Sequence, residues 1–223
     1  MKLKRIIGLL ALAAVLAVPM LASADDGKLG IYLTPKAVYG AVYMNDVKYR
    51  EKDDDYPVLG SEWDNTFGGS LAVGYDFSKT LLVRSELEYA IFTKAKGEPR
   101  SSEFQSYNIQ TLFVNVYYDI NTGTKFTPYV GAGIGAGFIK TEGRADFDDG
   151  GTGSKTVTNF AWNLGLGLGY HIMNNVVLDI GYRFADLGAV KTNWDPYLSG
   201  VPWRMETKRL YQHQCSIGAR IGF

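Results

Sequence analysis

Residues 160–184 read FAWNLGLGLGYHIMNNVVLDIGYRF. In the first half Phe160, Trp162, Leu164, Leu166, Leu168, Tyr170 and Ile172 fall on one parity, and Asn163, Gly165, Gly167, Gly169 and His171 on the other. In the second half Val176, Leu178, Ile180, Tyr182 and Phe184 oppose Asp179, Gly181 and Arg183. Side chains alternate across a β-strand, so each run is a strand with one apolar face. Met173-Asn174-Asn175 leaves room only for a tight turn between them.

The same period runs through the chain. Eight segments carry it, at about 29–44, 66–77, 81–93, 105–120, 126–140, 157–172, 176–190 and 207–223. In the third, Leu81, Val83, Leu87, Tyr89 and Ile91 oppose Arg84, Glu86 and Glu88. In the last, Ile217, Ala219, Ile221 and Phe223 oppose Ser216, Gly218, Arg220 and Gly222. The fourth departs: Leu112, Val114, Val116, Tyr118 and Ile120 keep the parity, but Gln110 and Asn108 continue it as polar residues. A bulge, or a strand rising above a bilayer, accounts for that. No sustained helical pattern follows the N-terminal leader.

The connections separate a soluble sandwich from a membrane barrel. Tight turns (Ser78-Lys79-Thr80, Asn121 to Lys125, Met173-Asn174-Asn175) alternate strictly with long polar stretches at 45–65, 94–104, 141–156 and 191–206. Outer-membrane barrels have an even strand number, short periplasmic turns and longer external loops. Aromatic residues gather at strand ends, as rings do at the two membrane interfaces. Tyr75, Phe77, Phe126, Tyr170 and Phe223 lie toward the tight turns, and Tyr43, Phe67, Phe92, Phe138, Phe160 and Tyr211 toward the long stretches. The expected fold is all-β, an eight-stranded antiparallel up-and-down transmembrane β-barrel.

The N-terminus reads as an export signal. Lys2, Lys4 and Arg5 precede an apolar run from Ile6 to Val18, and Ala22-Ser23-Ala24 offers small residues to a peptidase. The expected division is residues 1–24 as signal peptide and 25–223 as barrel domain, placed in the cell outer membrane. The 23 basic and 23 acidic residues balance, and removing the leader takes away three basic residues and no acid. A mildly acidic mature chain gives no reason to expect a nucleic-acid partner. Cys215 is the sole cysteine, which excludes an internal disulfide.

The strands PYVGAGIGAG (128–137), LDIGYRF (178–184) and VNVYYDI (114–120), with the terminal GARIGF (218–223), resemble the small outer-membrane β-barrel family. That family includes the opacity-type surface proteins and the barrel domain of outer-membrane protein A. The resemblance covers essentially the whole mature chain. It implies a structural or adhesive surface protein with four long extracellular loops. The chain ends on its last strand, so the peptidoglycan-binding domain that follows the barrel of outer-membrane protein A is not expected. The aromatic final residue, Phe223, resembles the signal read by the barrel-assembly machinery.

Parity places Lys36, Arg84, Glu86, Glu88, Asp179, Arg183 and Arg220 inside the barrel. The lumen of eight strands is narrow enough to be filled by its own side chains, and buried charges must pair. The expectation is a polar plug; the alternative is a narrow gated pore, porin-like in function. Pairing Val176 opposite Phe223 would set Asp179 directly against Arg220. The glycines of Val130 to Phe138 match the spacing of a dinucleotide loop, but no helix follows them. Gly131, Gly133, Gly135 and Gly137 instead fall on the lumen face, where they leave room for long residues such as Tyr32 and Lys36.

Catalytic, cofactor and metal sites are not expected. A lipid A-modifying enzyme needs a His, a Ser and an acid together at the outer rim. His171 lies beside a tight turn, and His213 is followed by Gln214 and Cys215 where a His-x-Ser pattern would have its serine. Asp146 and Asp148 have the first spacing of a calcium loop, yet Gly150 and Val157 occupy later ligand positions. That stretch reads as a solvated acidic loop. The expected partners are outer-membrane lipid and lipopolysaccharide, the barrel-assembly machinery, and a host or envelope ligand met through the loops.

Overall fold

The computed structural model describes residues 30–51, 55–77, 81–100, 103–145, 152–191, 195–196 and 202–223. The leader, and the acidic stretch from Asp146, fall outside these residues. Eight long strands follow in chain order: β1 (Ile31–Glu51), β2 (Asp55–Asp76), β3 (Val83–Phe92), β4 (Glu103–Asp119), β5 (Phe126–Ala145), β6 (Thr152–Met173), β7 (Val176–Asp186) and β8 (Pro202–Gly222). Every neighbour in sequence is an antiparallel neighbour in space. β8 then returns to β1, from Tyr32↔Gly222 to Glu51↔Trp203, and closes the ring. Closure satisfies the backbone groups that an open sheet edge would leave bare in lipid.

Three connections at one end are tight. Asn174 and Asn175 form the turn between β6 and β7. Between β4 and β5, Gly123 adopts φ 68°, and its N–H donates to Asn121 Oδ1 at 2.9 Å. Phe77 and Leu81 close the turn between β2 and β3 through a 2.8 Å backbone bond.

The other end differs from the sequence expectation. The stretches at 45–65 and 141–156 are largely strand rather than loop. β1 runs to Glu51 and β2 starts at Asp55, while β5 runs to Ala145 and β6 starts at Thr152. A short strand, Ala95–Arg100, pairs with β4, and two-residue strands at Val190–Lys191 and Asp195–Pro196 pair with β8. Above the membrane the outward face of a strand meets water instead of lipid, so the ladder continues while the outward apolar pattern that reveals it disappears. The same reason explains β4. Gln110 and Asn108 keep their register with β5 without a shift, so the strand rises out of the apolar belt and no bulge interrupts it there.

A bulge does occur in β1, between Met44 and Val47, where Asp46 takes φ 55°. Aspartate tolerates this left-handed conformation better than most residues. The extra residue switches the inward parity, so Met44 and Val47 both point to the interior.

The outward face between the two ends is apolar. Ile134, Leu164, Leu166, Ile180 and Ile217 are each more than half exposed. In water such a belt would be unstable, and lipid is its natural solvent. Phe92 departs from the expected outer ring of aromatics: it is buried inside the barrel, on the parity of Glu86 and Glu88.

Candidate functional site: the lumen network and the outer rim

All seven charged residues expected inside the barrel lie on the lumen face. Lys36 Nζ on β1 reaches Glu86 Oε2 at 3.0 Å and Glu88 Oε2 at 2.9 Å on β3. Arg183, from β7 on the far side of the ring, holds Glu88 with two bonds of 3.0 and 2.8 Å. Its planar fork matches both carboxylate oxygens. Arg84 Nη1 donates to Glu86 Oε1 at 2.8 Å.

Sequence reading missed one member. Asp119, the last residue of β4, accepts from Arg84 Nε at 3.0 Å and lies 3.8 Å from Arg220 Nη1. The expected set held four cations and three acids, and Asp119 makes the count even. Charge balance together with its shared parity with Asn115 and Tyr117 was the available signal.

Asp179 and Arg220 pair differently from the expectation. The register sets Asp179 against Gly218 and Arg220 against Val177, two residues away from the predicted pairing. A two-residue slip preserves the face. Arg220 Nε therefore still meets Asp179 Oδ2, diagonally, at 3.2 Å.

Tyrosines complete the network. The Arg84 guanidinium sits 4.0 Å from the Tyr117 ring centre and 4.4 Å from that of Tyr129. The Tyr129 hydroxyl donates to Asp179 Oδ1 at 2.7 Å, and the Tyr32 hydroxyl to Glu86 Oε1 at 3.1 Å. These rings also use the space above the glycines. A Cβ on Gly131 would strike the Tyr117 ring, and one on Gly167 the Tyr129 ring. Tyr32 occupies the room over Gly74, and Lys36 that over Gly218. Sequence reading sent Tyr32 and Lys36 to the β5–β6 glycines. Adjacent-strand tyrosines fill that side instead, because a neighbouring ring can lie flat on a bare backbone.

Toward the long-connection end the lumen turns apolar. Val42, Met44, Phe92, Ile109, Ile139 and Leu210 form one buried cluster. Phe113 lies at its floor, with the Arg183 guanidinium 5.8 Å from its ring centre. After β7 the chain bends inward, and Leu187 and Val190 join the cluster. Asn159 Nδ2 fastens this segment through Leu187 O at 2.9 Å and Ala189 O at 2.7 Å. Sequence reading had no account of this second layer.

The outer rim carries the histidine in question. His213 faces outward among Trp63, Phe184 and Tyr182, with Nδ1 2.7 Å from the Tyr182 hydroxyl. Cys215 is exposed on the same face of β8. His171 lies near the opposite end, with Nε2 3.2 Å from Thr127 Oγ1. Phe223, just past β8, is 82% exposed and its N–H donates to Ile31 O at 3.1 Å.

Comparison with known proteins places this geometry. A family described as outer membrane protein β-barrel domain matches residues 9–220. The chain is 31% identical over 192 residues to outer membrane protein PagN of Salmonella typhimurium, covering 77% of this chain and 80% of that protein. It is 27% identical over 203 residues to a protein of Rickettsia bellii described as a candidate adhesin, covering 85% and 86%. Opacity protein opA67 of Neisseria gonorrhoeae is 23% identical over 192 residues, covering 69% and 76%. Among solved structures, OprG of Pseudomonas aeruginosa superposes with a TM-score of 0.55 at 13% identity, covering 89% of this chain and 100% of that one. At that identity the likeness is one of fold alone.

Proposed function

We propose a function from a plain premise: the chain belongs to the outer membrane protein β-barrel domain family. It is an integral outer-membrane protein whose membrane half is a filled scaffold and whose prolonged strands make adhesive contact. The observation that carries this reading is strand length. β1 has 21 residues and β2 has 22, whereas about 9–11 tilted residues cross a bilayer. The surplus builds a polar extension beyond the apolar belt, at the end opposite the tight turns. The relationship to a candidate adhesin supports the same reading. The ligand is a host or envelope surface component.

The test is to truncate the polar extensions, replacing residues 48–59 and 141–155 with short turns, and to measure binding of expressing cells to host cells. Heat-modifiable migration on denaturing gels reports whether the barrel still forms. Loss of binding with an intact barrel supports the reading. Full binding by barrels without the extensions defeats it.

The catalytic alternative has little support, since Cys215 and Gln214 follow His213 where a lipid A hydrolase would need a serine. The narrow pore is the second reading, in which the paired lumen charges exchange partners to open a path. Single-channel recording separates the two: steps altered by Glu86→Ala or Arg183→Ala would support conduction. Residues 1–24 act as an export signal in this reading, checked by N-terminal sequencing of the membrane form. The exposed Phe223 serves the barrel-assembly machinery, checked by the yield of heat-modifiable protein after its deletion.

A further inference from the structure

Above the membrane the barrel wall parts between β6 and β7. Their pairing ends at Trp162↔Asp186, while β6 stays paired with β5 as far as Thr152↔Arg144. One further step of the ladder would set Phe160 against Gly188. Gly188 instead adopts φ 79°, donates its N–H to Asp186 Oδ1 at 2.9 Å and accepts from Leu210 N–H at 2.9 Å. Both of its backbone groups are thus turned away from β6. Leu187 and Val190 draw this segment into the apolar cluster, and it follows β8 at Val190↔Thr207 and Lys191↔Glu206. From inside, the Asn159 side chain spans the parting through Leu187 O and Ala189 O.

The register tells which backbone groups line the open side. His171 N–H donates to Lys125 O on the β5 side, and the pairing with β5 runs from Tyr170 to Thr152 without a shift. Antiparallel neighbours alternate between bonded and non-bonded pairs, so odd-numbered residues of β6 turn their N–H and C=O to β5 and even-numbered ones to the β7 side. Phe160, Thr158 and Thr156 therefore present a row of N–H and C=O groups to the parting. Among the described residues no strand pairs with them there. Thr156 and Thr158 are exposed, and Phe160 is 68% exposed.

This edge lacks the usual guards. Prolines, charges and bulges keep a bare strand edge from pairing with another chain. The upper part of β2 has them: Pro57, Glu62 and Asp64 stand in it, and Asp64 Oδ2 accepts the Lys96 N–H. The run Thr156-Val157-Thr158-Asn159-Phe160 holds neither proline nor charge, and its β-branched and aromatic residues favour strand pairing.

We propose that the upper edge of β6 is a docking site for an extended peptide segment of a partner protein, which joins the wall as an added strand. A row of alternating donors and acceptors at ladder spacing is matched by another backbone. A sugar or a lipid has no such repeat. The exposed Phe160 ring selects an apolar or aromatic residue at the cross-strand position nearest the membrane. The inference rests on the adhesive reading, in which the long-connection end faces outward, and it names the chemistry of one partner contact.

The test uses the full folded protein in detergent micelles. The probe is a capped synthetic peptide, Phe followed by alternating Val and Thr and ending in a pair of lysines. It is compared with its two forms N-methylated at alternate residues. One side of the peptide backbone meets the edge, so the two methylated forms should differ in affinity at least about fivefold, the scale of one lost backbone hydrogen bond. Thr158→Pro removes an edge N–H and should weaken binding of the unmethylated probe by a similar factor. Thr158→Val keeps that N–H and should change binding less than about twofold. Heat-modifiable migration verifies that both variants fold. Hydrogen exchange on the unaltered protein needs no variant. Without peptide, the Thr156 and Thr158 amides should exchange at least about tenfold faster than those of Lys155 and Val157, and they should slow when the probe is added. Equal affinity of the two methylated forms, undiminished binding by Thr158→Pro, or edge amides already as protected as Lys155 and Val157 would overturn the proposal. Cell binding is measured separately. A protein that adheres to cells but leaves the probe unbound removes this site and leaves the adhesive reading standing.

Discussion

The two halves of the lumen are built from the same wall and the same inward parity, yet they are filled by opposite chemistry. At the tight-turn end, four cations and four carboxylates interlock over glycine-rich strands. At the long-connection end, Val42, Phe92, Ile109, Ile139, Leu187 and Leu210 pack as a soluble core does. Each half solves the same problem, since neither lipid nor bulk water can fill a tube this narrow. The charged half depends on each partner being present, because a lone buried ion costs several kcal/mol. The apolar half depends on volume, because a void forfeits contacts gradually.

The sharpest way to break the comparison is Glu88→Ala. It leaves Lys36 and Arg183 without their shared carboxylate, and the expected loss is about 3–5 kcal/mol. Urea unfolding in lipid vesicles, followed by heat-modifiable migration, measures it. A loss under about 1 kcal/mol would mean that water already screens the network. In the apolar half, Leu210→Ala removes a fully buried side chain, with an expected loss of about 2–4 kcal/mol in the same assay.

The glycines give a finer contrast. Gly167→Ala must displace Tyr129, which is tied to Asp179, and should cost about 1–3 kcal/mol. Gly137 borders the apolar cluster, and a Cβ there would meet its nearest neighbours at 3.7 Å. Ala at that position should therefore change stability by less than about 0.5 kcal/mol. Similar costs at both positions would erase the distinction between a braced wall and a merely packed one. Asn159→Ala releases Leu187 O and Ala189 O, at an expected cost of about 1 kcal/mol. Faster protease cleavage near 187–191, with the barrel otherwise intact, is the expected readout.

The smallest effect belongs to the exposed rim. Hydrogen bonds from Lys140 and Lys94 hold the Glu142 carboxyl below the usual glutamate range. A folded pKa below the unfolded one stabilises at neutral pH, and that contribution is lost as pH falls through the lowered value. Solvent screens the group, so Lys140→Met should only slightly flatten the acid limb of stability against pH. An unchanged acid limb would mean that the pair contributes nothing.

Much of the barrel was legible along the chain. Alternation in residues 160–184 marks a hairpin, and repetition of that pattern with tight turns at every second connection requires eight staves. Parity assigned the lumen face of Lys36, Arg84, Glu86, Glu88, Asp179, Arg183 and Arg220. It failed above the membrane, where β1 and β2 run on through polar sequence and the Asp46 bulge switches faces. Asp119 was overlooked although its parity was available, since it stands at a strand end next to a turn.

The sequence by itself determined the eight barrel strands, the end that bears the tight turns, and which side chains face lipid. These are local properties, because a strand's two faces are set by a period of two and a turn by its own residues. Only the tertiary structure decided that Arg183 meets Glu88 across the ring, that Asp179 meets Arg220 two residues out of register, and that Tyr117 and Tyr129 fill the glycine wall. Those pairings depend on how far each strand slides past the next before the ring closes. Closure is a condition on all eight strands at once, and no single stretch of sequence carries it.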